Sequence, residues 1–173
     1  MSVKSNIFLI GLMGSGKTTI GKQIAERLKK TFYDSDYEIE KRTGVSIPVI
    51  FDIEGEEGFR NRETRMLDEL TQKENVVVAT GGGAILREAN RTYLRDRGTV
   101  IYLRADIDEL LKRTRRDRNR PLLNNGARRA TLEKLLQQRG PLYQQEADVE
   151  VDTGSLSATQ VAKNIMALLV TDK

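Results

Sequence analysis

The chain has 173 residues, which predicts one domain with a single core, and its 38% hydrophobic and 31% charged residues are an ordinary globular composition. It contains neither cysteine nor histidine, which excludes disulfides, thiolate metal sites, imidazole acid–base catalysis and His-ligated metals. The formal net charge of +4 is compatible with nucleic acid or with small anionic ligands and does not separate them. No apolar stretch approaches the roughly 18 residues of a membrane helix, so we expect a cytoplasmic protein.

Short apolar runs alternate with longer stretches of helical periodicity, a rhythm typical of α/β proteins. The runs predict five strands, at Asn6–Gly11, Thr31–Asp34, Val76–Thr80, Thr99–Leu103 and Val149–Thr153. The periodic stretches predict seven helices, at Lys17–Lys29, Ser35–Thr43, Gly55–Lys73, Arg87–Arg97, Ile107–Arg116, Ala130–Arg139 and Ser157–Val170. Most of the runs are apolar on both faces, as parallel strands covered by helices are. We therefore predict a doubly wound parallel sheet with a ligand crevice beyond the carboxyl ends of its strands.

A glycine-rich loop follows the first predicted strand. The stretch GLMGSGKT, from Gly11 to Thr18, matches the phosphate-loop pattern G-x-x-x-x-G-K-[ST] and stands between a strand and a helix. Its glycines let backbone N–H groups turn toward a phosphate, and the helix N-terminus adds positive potential. We predict that Lys17 reaches the β- and γ-phosphates of a nucleotide and that the Thr18 hydroxyl binds Mg²⁺. The alternative is a glycine turn that only starts a helix.

Two carboxylates, Asp34 and Asp36, stand at the end of the second predicted strand, in FYDSD. One of them can face magnesium and phosphates while the other meets a substrate hydroxyl. The simpler interpretation is that Asp34 or Ser35 caps the helix that follows. The sequence leaves both interpretations open.

Three consecutive glycines, Gly81–Gly83, follow the third predicted strand. A strand end without side chains lets a ligand approach the backbone amides closely, so we predict a ligand contact rather than a tight turn. A Walker-B aspartate would ordinarily close such a strand, but Thr80 stands in its place, and Asp106 lies three residues past the apolar run of the fourth strand. We therefore assign the indirect contact with the metal to Asp34.

The motifs GLMGSGKT, FYDSD, GEEGFRNRE, TGGG, RPLL and RGPLY occur in this order, and the set resembles the shikimate kinase family over nearly the whole chain. The resemblance implies ATP-dependent phosphorylation of the 3-hydroxyl of shikimate, in aromatic amino acid biosynthesis, by a single domain of residues 1–173. It also implies the three-layer fold of the nucleoside monophosphate kinases, with a parallel sheet of order 2-3-1-4-5. A substrate-binding segment is implied at about residues 35–62 and a mobile lid at about residues 114–128.

The resemblance further implies roles for individual residues. It makes Lys17, Asp36 and Arg120 catalytic, with Asp36 as the candidate base and Arg120 reaching the phosphates from the lid. The implied metal contacts are Thr18 and, through water, Asp34. The implied ATP-binding residues are Gly14, Ser15, Gly16, Lys17, Thr18, Thr19, Arg113 and Arg120, with Arg113 stacking on adenine near the VDT stretch that ends at Thr153. The implied shikimate-binding residues are Asp36, Arg60, Gly81, Gly82, Gly83 and Arg139.

The chemistry is consistent with these roles. Phosphoryl transfer needs positioning and positive charge rather than covalent catalysis, so a chain without His or Cys can perform it with Lys, Arg, Mg²⁺ and one carboxylate. Arg60 and Arg139 suit a substrate carboxylate, because a guanidinium grips it bidentately. Glu63 is close enough along its helix to orient Arg60. We expect Gly140 and Pro141 to end the helix that carries Arg139.

Two other functions are compatible with parts of the sequence. Another small-metabolite kinase of the same fold, such as a gluconate or nucleoside monophosphate kinase, would share the loop and the lid but would not need DSD, TGGG and RGPLY together. A nucleic-acid-binding module would use the basic run Lys112–Arg120, but this run lacks aromatic residues and contains Asp117. We expect a monomer that binds neither nucleic acid nor membranes.

Overall fold

The computed structural model describes residues 5–114 and 128–171. Its five parallel strands form one sheet in the order β2-β3-β1-β4-β5. The strands are β1 Ile7–Ile10, β2 Thr31–Asp34, β3 Val76–Ala79, β4 Thr99–Arg104 and β5 Val149–Asp152. The predicted fold class, strand positions and strand order are confirmed.

Helices connect the strands and cover both faces of the sheet. Within the described ranges they are α1 Lys17–Leu28, α2 Ser35–Thr43, α3 Ile47–Thr71, α4 Glu88–Arg97, α5 Ile107–Thr114, α6 Arg128–Glu146 and α7 Ala158–Thr171. A short 3₁₀ turn, Ala84–Leu86, precedes α4. No helix in the described residues is both long enough and apolar enough to cross a membrane.

The central strand β1 shows why the sheet is buried on both faces. Successive side chains of a strand point to opposite faces, and all four residues of β1 are apolar and buried. Ile7 and Leu9 pack in the core beneath α1 and α7, whereas Phe8 and Ile10 pack in the core on the other face. This double burial fixes the position of the loop that follows Ile10.

The helix α3 begins earlier than the sequence predicts. The predicted helix started at Gly55, but α3 runs from Ile47 and is bent at Gly55, whose φ of 73° lies in the left-handed region. The prediction therefore placed the start of the helix at this bend and missed the helical turns before it. Pro48 occupies the first turn of this helix, where proline is tolerated because its missing N–H has no helical partner to lose.

The helix α6 does not end before Pro141, as we predicted from the Gly-Pro pair, but continues to Glu146 with Pro141 inside it. A proline there removes one helical hydrogen bond. The residues beyond it account for the continuation, because Tyr143 and Glu146 are buried and their packing favours the helix. Arg139 consequently lies within the helix rather than at its end.

Candidate active site

The carboxyl ends of three neighbouring strands bring the predicted site segments to one edge of the sheet. The loop Gly11–Gly16 follows β1, Asp34 ends β2, and Gly81–Gly83 follow β3. The segments enclose a cavity of about 320 Å³. Its lining comes from both the phosphate loop and the predicted substrate residues, and comprises Gly14, Gly16, Lys17, Thr18, Thr19, Asp34, Asp36, Thr80, Gly81, Gly82 and Arg113.

The phosphate loop has the local geometry that its glycines predict. Gly16 precedes α1 with a φ of 94°, in the left-handed region that a side chain would strain. Gly14 has no room for a side chain, since a Cβ there would lie 2.5 Å from Cγ2 of Thr114. The Lys17 ammonium donates hydrogen bonds to the carbonyl oxygens of Gly11 at 2.6 Å and Leu12 at 2.9 Å. The loop thus holds this cation beside the cavity.

Asp34 caps the helix that follows it and also contacts the phosphate loop. Its Oδ1 accepts hydrogen bonds from the N–H groups of Asp36 at 3.0 Å and Tyr37 at 3.2 Å, which caps α2. Its Oδ2 accepts a hydrogen bond from the Thr18 hydroxyl at 2.6 Å. The carboxylate is therefore both a helix cap and a neighbour of the phosphate loop.

The Thr18 hydroxyl and the Asp34 carboxylate are hard oxygen donors, which suit Mg²⁺. The described residues contain no group of three or more acidic side chains that could hold a metal by themselves. Mg²⁺ in nucleotide sites is usually bound by one or two protein oxygens together with phosphates, so this donor set fits it.

The triple glycine lies against the charged side chains of the predicted substrate site. A Cβ on Gly81 would lie 2.8 Å from Oδ1 of Asp36 and 2.9 Å from Oε2 of Glu63. A Cβ on Gly82 would lie 3.3 Å from Nη1 of Arg139, and one on Gly83 would lie 2.5 Å from Cζ of Arg60. Along these three residues the neighbouring charges change from acidic to basic.

The two arginines are buried together with a carboxylate. Arg60 is 7%, Arg139 4% and Glu63 0% exposed. Arg60 Nη1 donates to Glu63 Oε1 at 2.9 Å, the local contact that the spacing predicts. Within the described part of the chain, Nε of Arg60, Nε of Arg139 and Oε2 of Glu63 are buried without a hydrogen-bond partner. Such unpaired buried polar atoms are rare in native proteins and call for a ligand or water.

Burial also shifts the pKa values of this cluster. It raises the pKa of the Glu63 carboxyl above its usual value, against the opposing effect of the nearby Arg60 and Arg139 charges. Burial lowers the pKa of the Arg139 guanidinium, and the like charge of Arg60 adds to this lowering. Two guanidinium groups held close together in a low-dielectric environment favour the binding of an anion.

Arg113 connects the phosphate loop with the loop after β5. Its guanidinium donates to the Gly154 carbonyl at 2.9 Å, to the Thr153 hydroxyl at 3.2 Å and to the Gly14 carbonyl at 3.4 Å. Arg113 thus contacts the VDT stretch through Thr153. Thr19 lines the cavity, whereas Arg120 lies outside the described residues.

Two polar residues near the strand ends have structural contacts. The Thr80 hydroxyl donates to the Leu9 carbonyl at 2.9 Å. Oδ1 of Asp106 accepts from the Glu109 N–H at 3.0 Å and so caps α5.

Sequence reasoning missed two contacts of the glycine segment. The Ser35 hydroxyl accepts from the Gly81 N–H at 3.2 Å, and the Tyr143 hydroxyl donates to the Gly82 carbonyl at 2.5 Å. Tyr143 belongs to the RGPLY motif, which was the available signal, but its partner lies 61 residues away in sequence.

Comparison with known proteins gives consistent matches along the chain. The family model described as shikimate kinase matches residues 13–170. The shikimate kinase of Nitrosospira multiformis is 57% identical over 160 residues, which cover 92% of this chain and 82% of that protein. The solved structure of the Acinetobacter baumannii shikimate kinase in complex with shikimate is 48% identical, with a TM-score of 0.95 over 97% of this chain and 94% of that one.

A gluconokinase from Sinorhizobium meliloti is similar in structure only. It is 17% identical to this chain, with a TM-score of 0.61 over 99% of this chain and 94% of that one. This likeness extends to the fold alone, and the high sequence identities all point to one family.

Proposed function

The chain belongs to the shikimate kinase family, and from that premise we propose which of its residues bind and phosphorylate shikimate. The enzyme transfers the γ-phosphoryl group of ATP to the 3-hydroxyl of shikimate and releases ADP and shikimate 3-phosphate. The observation that supports the assignment best is the change from acidic to basic neighbours along Gly81–Gly83.

This change of charge would orient the substrate. Shikimate carries a carboxylate at one end of its ring and hydroxyl groups at the other. Its carboxylate would bind the buried Arg60 and Arg139 beside Gly82 and Gly83, where guanidinium forks can grip it. Its hydroxyl groups would then lie toward Asp36, which lines the same cavity as the phosphate loop. The reacting oxygen would thus face the phosphate side.

The phosphate side would bind ATP through the loop Gly14–Thr19. Lys17, which now donates to loop carbonyls, would exchange them for phosphate oxygens that carry more negative charge. Thr18 and, through water, Asp34 would hold Mg²⁺, which neutralises phosphate charge when it is bound. Arg113 would lie against the adenine.

The reaction needs one proton to move. The 3-hydroxyl oxygen forms a bond to the γ-phosphorus while the bond between that phosphorus and the β–γ bridging oxygen breaks. Asp36 would accept the hydroxyl proton as this bond forms. Lys17 and Arg120 would stabilise the charge on the transferring group, because fixed cations lower the barrier where negative charge redistributes.

The wider assignments belong to the same proposal. Residues 1–173 form one catalytic domain, with the substrate-binding segment at about residues 35–62 and the lid at about residues 114–128, of which 115–127 lie outside the described residues. The enzyme works as a monomer in the cytoplasm and binds neither nucleic acid nor membranes.

A coupled ADP-release assay tests this proposal. With ATP and Mg²⁺ present, shikimate should support turnover, and gluconate or a nucleoside monophosphate at the same concentration should not. Substitution of Arg60 or Asp36 should reduce turnover with shikimate while leaving ATP binding in place. Equal turnover with gluconate would contradict the acceptor assignment.

A further inference from the structure

The backbone of Gly81–Gly83 is held through its carbonyl groups. These oxygens all accept hydrogen bonds, whereas within the described residues the N–H groups of Gly82 and Gly83 donate none. The carbonyls of Gly81, Gly82 and Gly83 accept from the Ala84 N–H at 3.1 Å, the Tyr143 hydroxyl at 2.5 Å and the Leu86 N–H at 3.1 Å. The two remaining N–H groups therefore lack a partner within the described residues, and Gly82 lines the cavity.

The geometry of the peptide bond connects one of these carbonyls to one of these N–H groups. The carbonyl of Gly82 and the N–H of Gly83 belong to the same planar unit, which is trans. In a trans unit the C=O and N–H bonds point in opposite directions. A hydrogen bond that fixes the Gly82 carbonyl consequently also fixes the direction of the Gly83 N–H. Tyr143 provides that hydrogen bond.

The same hydroxyl is also close to a cation of the site. The charge of Arg139 acts on the Tyr143 phenol and lowers its pKa, against the larger effect of burial. Tyr143 therefore lies near this guanidinium as well as being bonded to the Gly82 carbonyl.

The surroundings of Tyr143 keep this hydroxyl in place. Its side chain is 1% exposed, and its ring lies 5.0 Å from the ring of Tyr102, between centroids. Burial raises the pKa of the phenol, which therefore stays protonated and able to donate.

We propose that Tyr143 is a positioning residue for shikimate, which fixes the direction of the Gly83 N–H at the substrate site through its bond to the Gly82 carbonyl. It acts through this backbone group and does not itself contact the substrate. The inference rests on the proposed function, in which the glycine segment and Arg139 bind shikimate. It goes beyond that function by giving a role to a residue outside the predicted binding set.

Steady-state kinetics of Tyr143→Phe test this role, because the change removes the hydroxyl and keeps the ring. We expect the KM for shikimate to rise about tenfold, the KM for ATP to stay unchanged and the thermal midpoint to stay close to that of the wild type. Tyr102→Phe is the matched control, since it also removes the hydroxyl of a buried tyrosine, but one that makes no hydrogen bond within the described residues. We expect wild-type kinetics for it.

A spectroscopic measurement distinguishes positioning from general structural support. In ¹H–¹⁵N spectra, Tyr143→Phe should shift the Gly83 amide signal of the free enzyme and reduce its response to added shikimate. Tyr102→Phe should change neither. An unchanged KM for shikimate in Tyr143→Phe, or equal rises for shikimate and ATP, would overturn the inference.

Arg139→Ala, measured alongside, separates the inference from the proposed function on which it rests. If Arg139→Ala weakens shikimate binding and Tyr143→Phe does not, only the positioning role fails. If Arg139→Ala leaves shikimate binding unchanged, the proposed substrate site itself is wrong.

Discussion

The Asp34 carboxylate accepts a hydrogen bond from the Thr18 hydroxyl at 2.6 Å. Its other oxygen caps α2 through the N–H of Asp36. Asp34 thus lies between the phosphate loop and the first turn of the helix that carries Asp36. Substitutions of Asp34 and of Asp36 should therefore have different effects, on the metal requirement and on the reaction of the substrate.

Asp34→Asn and Asp36→Asn should have different effects. Asparagine is also a good helix cap, so Asp34→Asn should keep α2 while raising the Mg²⁺ concentration needed for half-maximal turnover. Asp36→Asn removes the candidate base and should lower turnover about 10²- to 10⁴-fold while ATP still binds. Turnover measured against Mg²⁺ concentration checks both. The same Mg²⁺ response in the two variants would contradict the division of roles.

Lys17→Met should abolish turnover in a protein that still folds. Removal of one positive group that stabilises the transferring phosphoryl group should cost at least ~10²-fold in kcat. Lys22→Met is a matched control, because Lys22 lies exposed on the same helix, α1. Coupled assays of both variants, with circular dichroism as the check on folding, test this. Wild-type turnover in Lys17→Met would show that the loop does not serve the reaction.

Glu63→Gln should reveal the cost of burying a carboxyl group. The pKa of Glu63 is raised in the folded state, so the folded protein holds this proton more tightly than the unfolded chain does. The associated stabilisation is complete below the usual glutamate pKa and is lost as the pH rises through the raised value. We therefore expect the wild type to lose stability relative to Glu63→Gln as the pH rises above the usual glutamate pKa, over the range in which both proteins stay folded.

Urea unfolding of both proteins across that range measures the difference. If the wild type instead gained stability relative to Glu63→Gln as the pH rose, the ionised carboxylate would be net stabilising. The pairing with Arg60 would then outweigh the desolvation of the carboxylate.

Gly83→Ala should weaken shikimate binding without affecting ATP. The added methyl group would lie 2.5 Å from Cζ of Arg60, so the guanidinium would have to move. Gly140→Ala is a useful comparison, because the nearest atom to a Cβ there is Cδ1 of Leu136 at an ordinary 3.5 Å, and alanine favours a helix by about 1 kcal/mol over glycine. Calorimetric titration with shikimate should show a loss of affinity for Gly83→Ala and none for Gly140→Ala.

Arg139→Ala and Arg120→Ala should differ in which kinetic constant they change. Loss of a charged hydrogen bond to the substrate carboxylate should raise the shikimate dissociation constant about 10- to 100-fold in Arg139→Ala. Arg120→Ala should instead lower kcat about 10²- to 10³-fold, since it acts on the transferring group. Calorimetry and coupled assays on both variants check this. Loss of shikimate binding in Arg120→Ala with normal kcat would place Arg120 in the substrate pocket.

The sequence predicted the elements and contacts that depend on local patterns of residues. The strands were found because buried parallel strands are continuous apolar runs, and the contact of Glu63 with Arg60 follows from helical spacing. The end of α6 was wrong because a local rule for Gly-Pro was outweighed by the burial of Tyr143 further along the helix. The bond from Tyr143 to Gly82 spans 61 residues and depends on how α6 packs beside the sheet, which no spacing rule supplies.

The donors on Gly82 and Gly83 also bear on inhibitor resistance. An inhibitor that accepts hydrogen bonds from these two N–H groups would contact main-chain atoms, which every substitution except proline retains. A side chain at Gly83 would displace Arg60, and one at Gly82 would approach Arg139 to 3.3 Å. A resistance substitution at either position would therefore also weaken the binding of the enzyme's own substrate. Resistance to such a compound would have to arise from neighbouring positions that change the direction of these N–H groups.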